Sequence, residues 1–306
     1  MTETASFFTP ASILWKQKEK NFGEVVDTPD GSCLRIQSSF IIPPSLSVSE
    51  DEVKARMLSD FTLVPGIGPV RSLSLKQRGK KTISDLRGTP WESAAEMITD
   101  ILLEGTKQEI LQYFSAIHRS SDPMLLALAN PNHTIFFDIE TLGMAHAPII
   151  LFGCGRYSGR SLAVTQYLIR NVEEELPALL LTANEFTDGA EAVTYNGKSF
   201  DIPYLNERLS YYGEREVQLK AHFDLLPPTR KLFKHQLCDC RLETVESAIP
   251  SLERGEDVPG ALVPYYYHNY LRTGKISILK PVIEHNKIDV ANLAYLLNYE
   301  CDLVYV

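Results

Sequence analysis

Two acids inside an apolar run are the residues of this sequence most apt for chemistry. The run is TIFFDIET, Thr134 to Thr141. Side chains alternate along a strand, so Phe136, Asp138 and Glu140 share one face and Ile135, Phe137 and Ile139 the other. The apolar flanks predict a central, buried strand. Two carboxylates on one face of such a strand repel each other and lose hydration. No basic residue lies within the strand to offset them. An Arg or Lys from elsewhere, a raised pKa or a divalent cation would relieve the conflict. Taken singly, the pair also fits a plainer arrangement, with Glu140 in solvent at the strand end and Asp138 capping a turn.

Further candidates follow downstream. Asp201 stands in VTYNGKSFDIPYLNERL, between an expected strand and an expected helix. Alone it reads as a helix N-cap, with Pro203 in the first turn and Asn196-Gly197 as a turn signal. Asp289 stands in IEHNKIDVANLAYLL beside the apolar helical stripe Val290, Leu293, Ala294 and Leu297, and His285 lies one turn earlier on the same face. Alone this is a neighbour pair on a solvated helix edge. A histidine beside a carboxylate is also a serviceable general base, with an unperturbed pKa of about 6.5. Together, Asp138, Glu140, Asp201 and Asp289 can converge at one end of a sheet. An all-oxygen set suits two hard cations, Mg²⁺ or Mn²⁺. Two such ions about 3.5–4 Å apart stabilise the attacking and leaving oxygens of phosphodiester hydrolysis.

These residues need particular elements to hold them. Thr134–Glu140, Pro148–Arg156 and Ser161–Leu168 read as three strands in meander, with Tyr157-Ser158-Gly159-Arg160 as a hairpin turn. Helix Glu173–Asn184, strand Glu191–Tyr195, helix Ile202–Tyr212, strand His222–Leu226 and then helices follow. This predicts an α/β fold, a mixed sheet flanked by helices. Upstream, Ala94–Leu103 and Glu109–Ile117 have helical periodicity. Thr28-Pro29-Asp30-Gly31 is a turn flanked by short apolar runs such as Cys33–Ile36. The expected organisation is a β-containing N-terminal segment over 1–55, a small helical region over 56–130 and a catalytic domain over 131–306.

At this point the residues resemble a known family. Asp138/Glu140, Asp201 and Asp289 look like the DEDD group of the RNase H-like superfamily, whose members are 3′–5′ exonucleases. YNGKSFDIPYL is similar to the second exonuclease motif of B-family DNA polymerases. From about Asn132 to Leu297 the chain is similar to the YprB-type RNase H-like domain of bacteria, including HFDLL, CRLETVE, DVPGALVPYYY and HNKID. The resemblance implies an RNase H-like sheet and a two-metal mechanism. Asp138 would bridge both ions, Glu140 and Asp289 would complete the tighter site, and Asp201 would hold the second ion through water. His285 would orient and deprotonate the attacking water. It stands four residues before the last Asp, the spacing of the Tyr subgroup of the family; the His subgroup has five. YprB-like sequences share that spacing. Asn196 and Phe200 match positions near the substrate strand.

The stretch LVPGIGPVRSLSLKQRGKKTISDL, residues 63–86, resembles a helix-hairpin-helix motif. Gly66 and Gly68 allow backbone N–H groups to approach a phosphate at a helix start, where Pro69 needs no donor. Arg71, Lys76, Arg78, Lys80 and Lys81 fall between Phe61 and Ser84 with no acid among them. Such contacts would go to phosphate and carry no sequence information. A packed helical hairpin mediating domain contact is the plainer alternative.

Composition bounds the rest. The 306 residues are 44% hydrophobic and 23% charged, which excludes collagen-like, coiled-coil and wholly disordered chains. With 30 Lys and Arg against 39 Asp and Glu the net charge is −9, so nucleic acid would have to be met by a local basic patch. No apolar run has bilayer-spanning length, and Met1–Pro10 lacks the pattern of a secretory leader. Five scattered cysteines, with Cys238-Asp239-Cys240 read as buried thiols, and no zinc-finger spacing complete the expectation of a cytoplasmic protein with reduced thiols. Tyr265-Tyr266-Tyr267 fits either a stacking platform or helix packing. The expectation is a metal-dependent 3′–5′ exonuclease acting on single-stranded DNA or RNA, with DNA favoured and no membrane partner. A non-catalytic binding module on a retired nuclease fold and a structure-selective endonuclease are the alternatives.

Overall fold

The apolar alternation that marks Thr134–Thr141 as a strand places it in the middle of a sheet. The computed structural model describes residues 22–44, 49–117, 123–143, 146–249, 252 and 258–305. Met1–Pro10, read above for a leader, and Asp257 of DVPGALVPYYY lie outside them. The sheet contains β1 (Glu24–Thr28), β2 (Gly31–Phe40), β3 (Thr134–Thr141), β4 (Ile149–Ser158), β5 (Ser161–Leu168), β6 (Glu191–Thr194) and β7 (Ala221–Asp224). Their spatial order is β1-β2-β5-β4-β3-β6-β7. The pairs from β1 to β3 are antiparallel; β3–β6 and β6–β7 are parallel. The β4–β5 turn closes on Ser158 opposite Ser161, with Gly159 at φ +61°. A left-handed residue suits the twist of such a two-residue hairpin.

The helices are α1 (Glu50–Leu58), α2 (Pro69–Gln77), α3 (Glu92–Glu104), α4 (Lys107–Ala116), α5 (Glu175–Glu185), α6 (Asp201–Tyr211), α7 (Leu226–Phe233), α8 (Leu242–Ala248), α9 (Val263–Thr273) and α10 (Lys280–Tyr305). They cover both faces of the sheet. Ile135, Phe137 and Ile139 pack with Leu179 of α5, Leu205 of α6 and Tyr267 of α9. Phe136, on the acidic face of β3, packs with Val290, Leu293 and Leu297 of α10 and with residues of α1, α3 and α4. None of the described helices is long and apolar enough to cross a membrane.

The structure joins what composition separated. The Thr28–Gly31 turn closes a β1–β2 hairpin, and β2 pairs with β5 from Leu34↔Leu168 to Phe40↔Leu162. The hairpin is therefore an edge of the main sheet. The helical region also docks on this sheet. Val53, Met57, Phe61, Ile98 and Phe114 share one core with α10, and Lys107 Nζ donates to the buried Glu191 carboxylate of β6 at 2.9 Å.

How closely α10 can approach is set by two glycines of β4. A Cβ on Gly153 would lie 2.4 Å from Asn286 Oδ1 and 2.7 Å from Val290 Cγ2. A Cβ on Gly155 would lie 2.7 Å from Val290 Cγ1. Since packed interiors leave no slack for an added methyl group, Gly153→Ala is expected to push α10 off the sheet. We expect a loss of about 1–3 kcal/mol, measured by urea unfolding, whereas Gly159→Ala, open to solvent at the hairpin tip, is expected to show only the smaller cost of its left-handed backbone.

Candidate active site

Three elements bring the sequence-selected acids to one end of the sheet. Asp138 and Glu140 come from the second half of β3, just before the register shift between Glu140 and Thr141. Asp201 opens α6, and His285 and Asp289 lie one turn apart on α10. Glu140, Asp201, His285 and Asp289 are all buried, and Asp138 is half-buried.

Asp201 does not cap its helix. Its Oδ1 accepts the backbone N–H of Ile139 at 3.2 Å, so the carboxylate is fixed against β3 beside Asp138. Burial, and next the charge of Asp138, push the Asp201 carboxyl well above the usual carboxylate range. The conflict expected from the sequence lay within β3, between Asp138 and Glu140; the one seen for Asp201 lies between β3 and α6.

His285 links the other two acids. Its Nε2 lies 3.5 Å from Glu140 Oε1 and 3.5 Å from Asp289 Oδ2. Asp138 is oriented by Asn286, whose Nδ2 donates to Asp138 Oδ2 at 2.8 Å and to the Asp138 carbonyl at 3.2 Å. Among the described residues, no three His, Cys, Asp or Glu side chains are arranged to hold a metal ion. The chemistry of the donor set nevertheless fits one. Asp138, Glu140, Asp201 and Asp289, carried by β3, α6 and α10, are buried or half-buried and offer only oxygen, and burial disfavours the charged form of Asp201.

The loop from β6 to α6 has its own anchor. Asp224, at the end of β7, accepts the N–H of Asn196 at 2.7 Å and of Leu226 at 3.1 Å through Oδ1, and that of Lys198 at 3.1 Å through Oδ2. This holds Asn196 at φ +66° and leaves its side chain exposed. Phe200 is half-buried against the Tyr204 ring. Asn286 and Asp224 were not singled out from the sequence. The HNKID and HFDLL segments contained them, but only strand pairing reveals what they touch.

Elsewhere the hairpin residues take distinct positions. Gly66 has φ +86°, and Gly68 precedes α2 with nothing within 4 Å of a Cβ placed on it. Arg71 folds back so that Nη1 donates to the Gly66 carbonyl at 2.6 Å, and Lys80 Nζ donates to the Asp85 carbonyl. Lys76, Arg78 and Lys81 are exposed. Cys238 is exposed and Cys240 half-buried, contrary to the expectation of buried thiols, because the segment after α7 runs over the surface. Tyr267 is fully buried and Tyr265 exposed, so the tyrosine run is divided between packing and solvent.

A mixed sheet with carboxylates at the end of its central strand and on its last helix defines an RNase H-like protein. A sequence model of the RNase_H superfamily matches residues 135–300, and the chain belongs to that superfamily. The chain is also 36% identical over 169 residues to YprB of Bacillus subtilis (strain 168), a protein described as uncharacterized. That alignment spans 54% of this chain and 41% of YprB, so less than half the length of the relative is covered. Superfamily membership suggests a nuclease with a nucleic-acid substrate.

The environment of Asp201 has a measurable consequence. A folded pKa above the unfolded value means that charge on Asp201 costs stability above the unfolded pKa and nothing below it. Asp201→Asn keeps the acceptor for Ile139 N–H and removes the charge. In chelator at neutral pH it is expected to unfold at a higher temperature than wild type, with the gap closing as the pH falls below the ordinary aspartate range.

Proposed function

We propose that this chain is a divalent-metal-dependent 3′–5′ exonuclease acting on single-stranded nucleic acid, DNA ahead of RNA. The observation that carries the reading is that His285 Nε2 of α10 lies 3.5 Å from both Glu140 Oε1 and Asp289 Oδ2, while Asp201 of α6 is held against β3 beside Asp138. A fold tolerates such a cluster of like charges where function demands it. The resemblance of the acid set to the DEDD group supports the polarity of digestion.

In this reading Asp138, Glu140, Asp201 and Asp289 would hold Mg²⁺ or Mn²⁺. When bound, the ions supply charge stabilisation for the attacking and leaving oxygens. His285 Nε2 takes the proton of the attacking water, and Glu140 and Asp289, each 3.5 Å away, offset the charge of the imidazolium. Water is the nucleophile, so no covalent enzyme intermediate forms. Asn196 and Phe200 lie on the loop that delivers Asp201 and would border the substrate strand.

Residues 63–86 would hold the phosphate backbone. Gly66 and Gly68 open the hairpin, and Lys76, Arg78 and Lys81 present exposed charge there. Arg71 and Lys80 brace the hairpin through Gly66 and Asp85 as well as adding charge.

The test is digestion of 5′-labelled single-stranded DNA and RNA with Mn²⁺ or with chelator. A metal-dependent ladder shortening from the 3′ end is expected, and Asp138→Ala is expected to abolish it while binding persists. Internal fragments would instead indicate an endonuclease, and binding without any cleavage would indicate a retired nuclease fold.

The hairpin gives a separate expectation. Replacing Lys76, Arg78 and Lys81 together by Ala should flatten the dependence of log affinity on log salt for single-stranded DNA by about 2, since each lost phosphate contact removes about 0.7. An unchanged slope would assign the hairpin to domain packing.

A further inference from the structure

Three neighbouring strands place one residue each in a row beneath α10. Asp138 of β3 is paired with Gly153 of β4, and Gly153 with Gln166 of β5. Adjacent strands are about 4.8 Å apart, so the outer two residues of the row are separated by about twice that. The missing side chain of Gly153 leaves a gap between them. Asn286 descends from α10 into that gap, which is why a Cβ on Gly153 would collide with its Oδ1. The amide then reaches both ends of the row. Nδ2 donates to Asp138 Oδ2 at 2.8 Å, and Oδ1 accepts from Gln166 Nε2 at 2.8 Å.

The direction of this chain of hydrogen bonds is fixed. Gln166 Nε2 also lies 3.0 Å from the Ile283 carbonyl, which can only accept. The NH₂ of Gln166 therefore has to face Ile283 and Asn286, although its own Oε1 is buried without a hydrogen-bond partner among the described residues. Because Gln166 donates, Asn286 must offer Oδ1 to it and turn its NH₂ towards Asp138. Asn286 and Gln166 are both fully buried, so water cannot substitute for either bond.

We infer that Asn286, held in one orientation by Gln166 across Gly153, is a positioning residue that fixes the Asp138 carboxylate for divalent-cation binding. A neutral amide donor holds one oxygen of Asp138 in place without bringing a positive charge that would compete with a cation. The inference rests on the proposed cation-dependent chemistry. It adds two residues that touch neither the scissile phosphate nor, in the case of Gln166, any of the acids.

The test uses the full chain as wild type, Asn286→Ala and Gln166→Met. Met has nearly the volume of Gln but cannot donate. Mn²⁺ affinity is read without substrate, from the electron paramagnetic resonance signal of the free ion. Cleavage of labelled single-stranded DNA gives kcat and KM, and thermal unfolding in chelator monitors the fold. Asn286→Ala is expected to lose about 10–100-fold in Mn²⁺ affinity and in kcat, with KM for DNA within about twofold of wild type. Gln166→Met is expected to move in the same direction, although residue 166 does not contact Asp138. The double variant should add little to Asn286→Ala alone, because both changes break one chain of bonds. Folded variants that bind Mn²⁺ and turn over within about twofold of wild type, while wild type does both, would overturn this inference and leave the nuclease reading standing. Wild type that neither binds Mn²⁺ nor cleaves would overturn both. If Asn286→Ala shows no cooperative unfolding transition, Gln166→Met alone decides the matter by the same readings.

Discussion

The close approach of α10 to β4 is the constraint on which the rest of this structure depends. Gly153 and Gly155 leave a strip of bare backbone on the acidic face of the sheet, and Val290 and Asn286 occupy it. With the helix at that depth, His285 reaches Glu140 while keeping Asp289 at 3.5 Å, and Asn286 reaches Asp138. The apolar stripe below, from Val290 to Leu297, closes the core against the helical region. A helix standing off by the thickness of one methyl group would retain much of that apolar burial and lose the polar contacts, whose tolerance in distance is far narrower. Polar geometry at the top of the helix and dispersion at its lower part are thus set by the same two missing side chains.

The site is also where the fold works against its own stability. Asp201 is buried beside another acid and held by backbone N–H groups, that of Ile139 among them. Elsewhere the protein treats buried charge differently. Glu175 receives two bonds from Arg208, one from Tyr212 and one from the Ile149 amide. Glu191 receives Lys107 and the Asn130 amide. Those carboxylates are compensated by a cation of the chain itself. At the end of β3 the same molecule brings an imidazole to Glu140 and Asp289 and an amide to Asp138.

Much of this was legible from local pattern. Alternation located β3 to β5, helical periodicity located α3 and α4, and the spacing of acids selected Asp138, Glu140, Asp201, His285 and Asp289. These are properties of residues near one another in the chain. What stayed hidden depended on register between distant segments. Asn286 reads as an ordinary polar residue until strand pairing puts Asp138, Gly153 and Gln166 in one row. Asp201 has every local attribute of a helix cap and instead bonds to a strand about sixty residues earlier. The Thr28–Gly31 turn announced a hairpin, but nothing local told that β2 would extend the main sheet through β5. The exposure of Cys238 was likewise invisible, since it depends on where the segment after α7 runs.

The order of elements along the chain has a temporal meaning. β3 precedes α10 by well over a hundred residues, and α10 comes last among the described elements. During synthesis the two strand acids emerge early, while the imidazole and the final carboxylate arrive only when the concluding helix is made. Closing such a long loop is slow and all-or-none compared with forming the β4–β5 hairpin. A half-made chain therefore carries the acids of β3 without the helix that orders them.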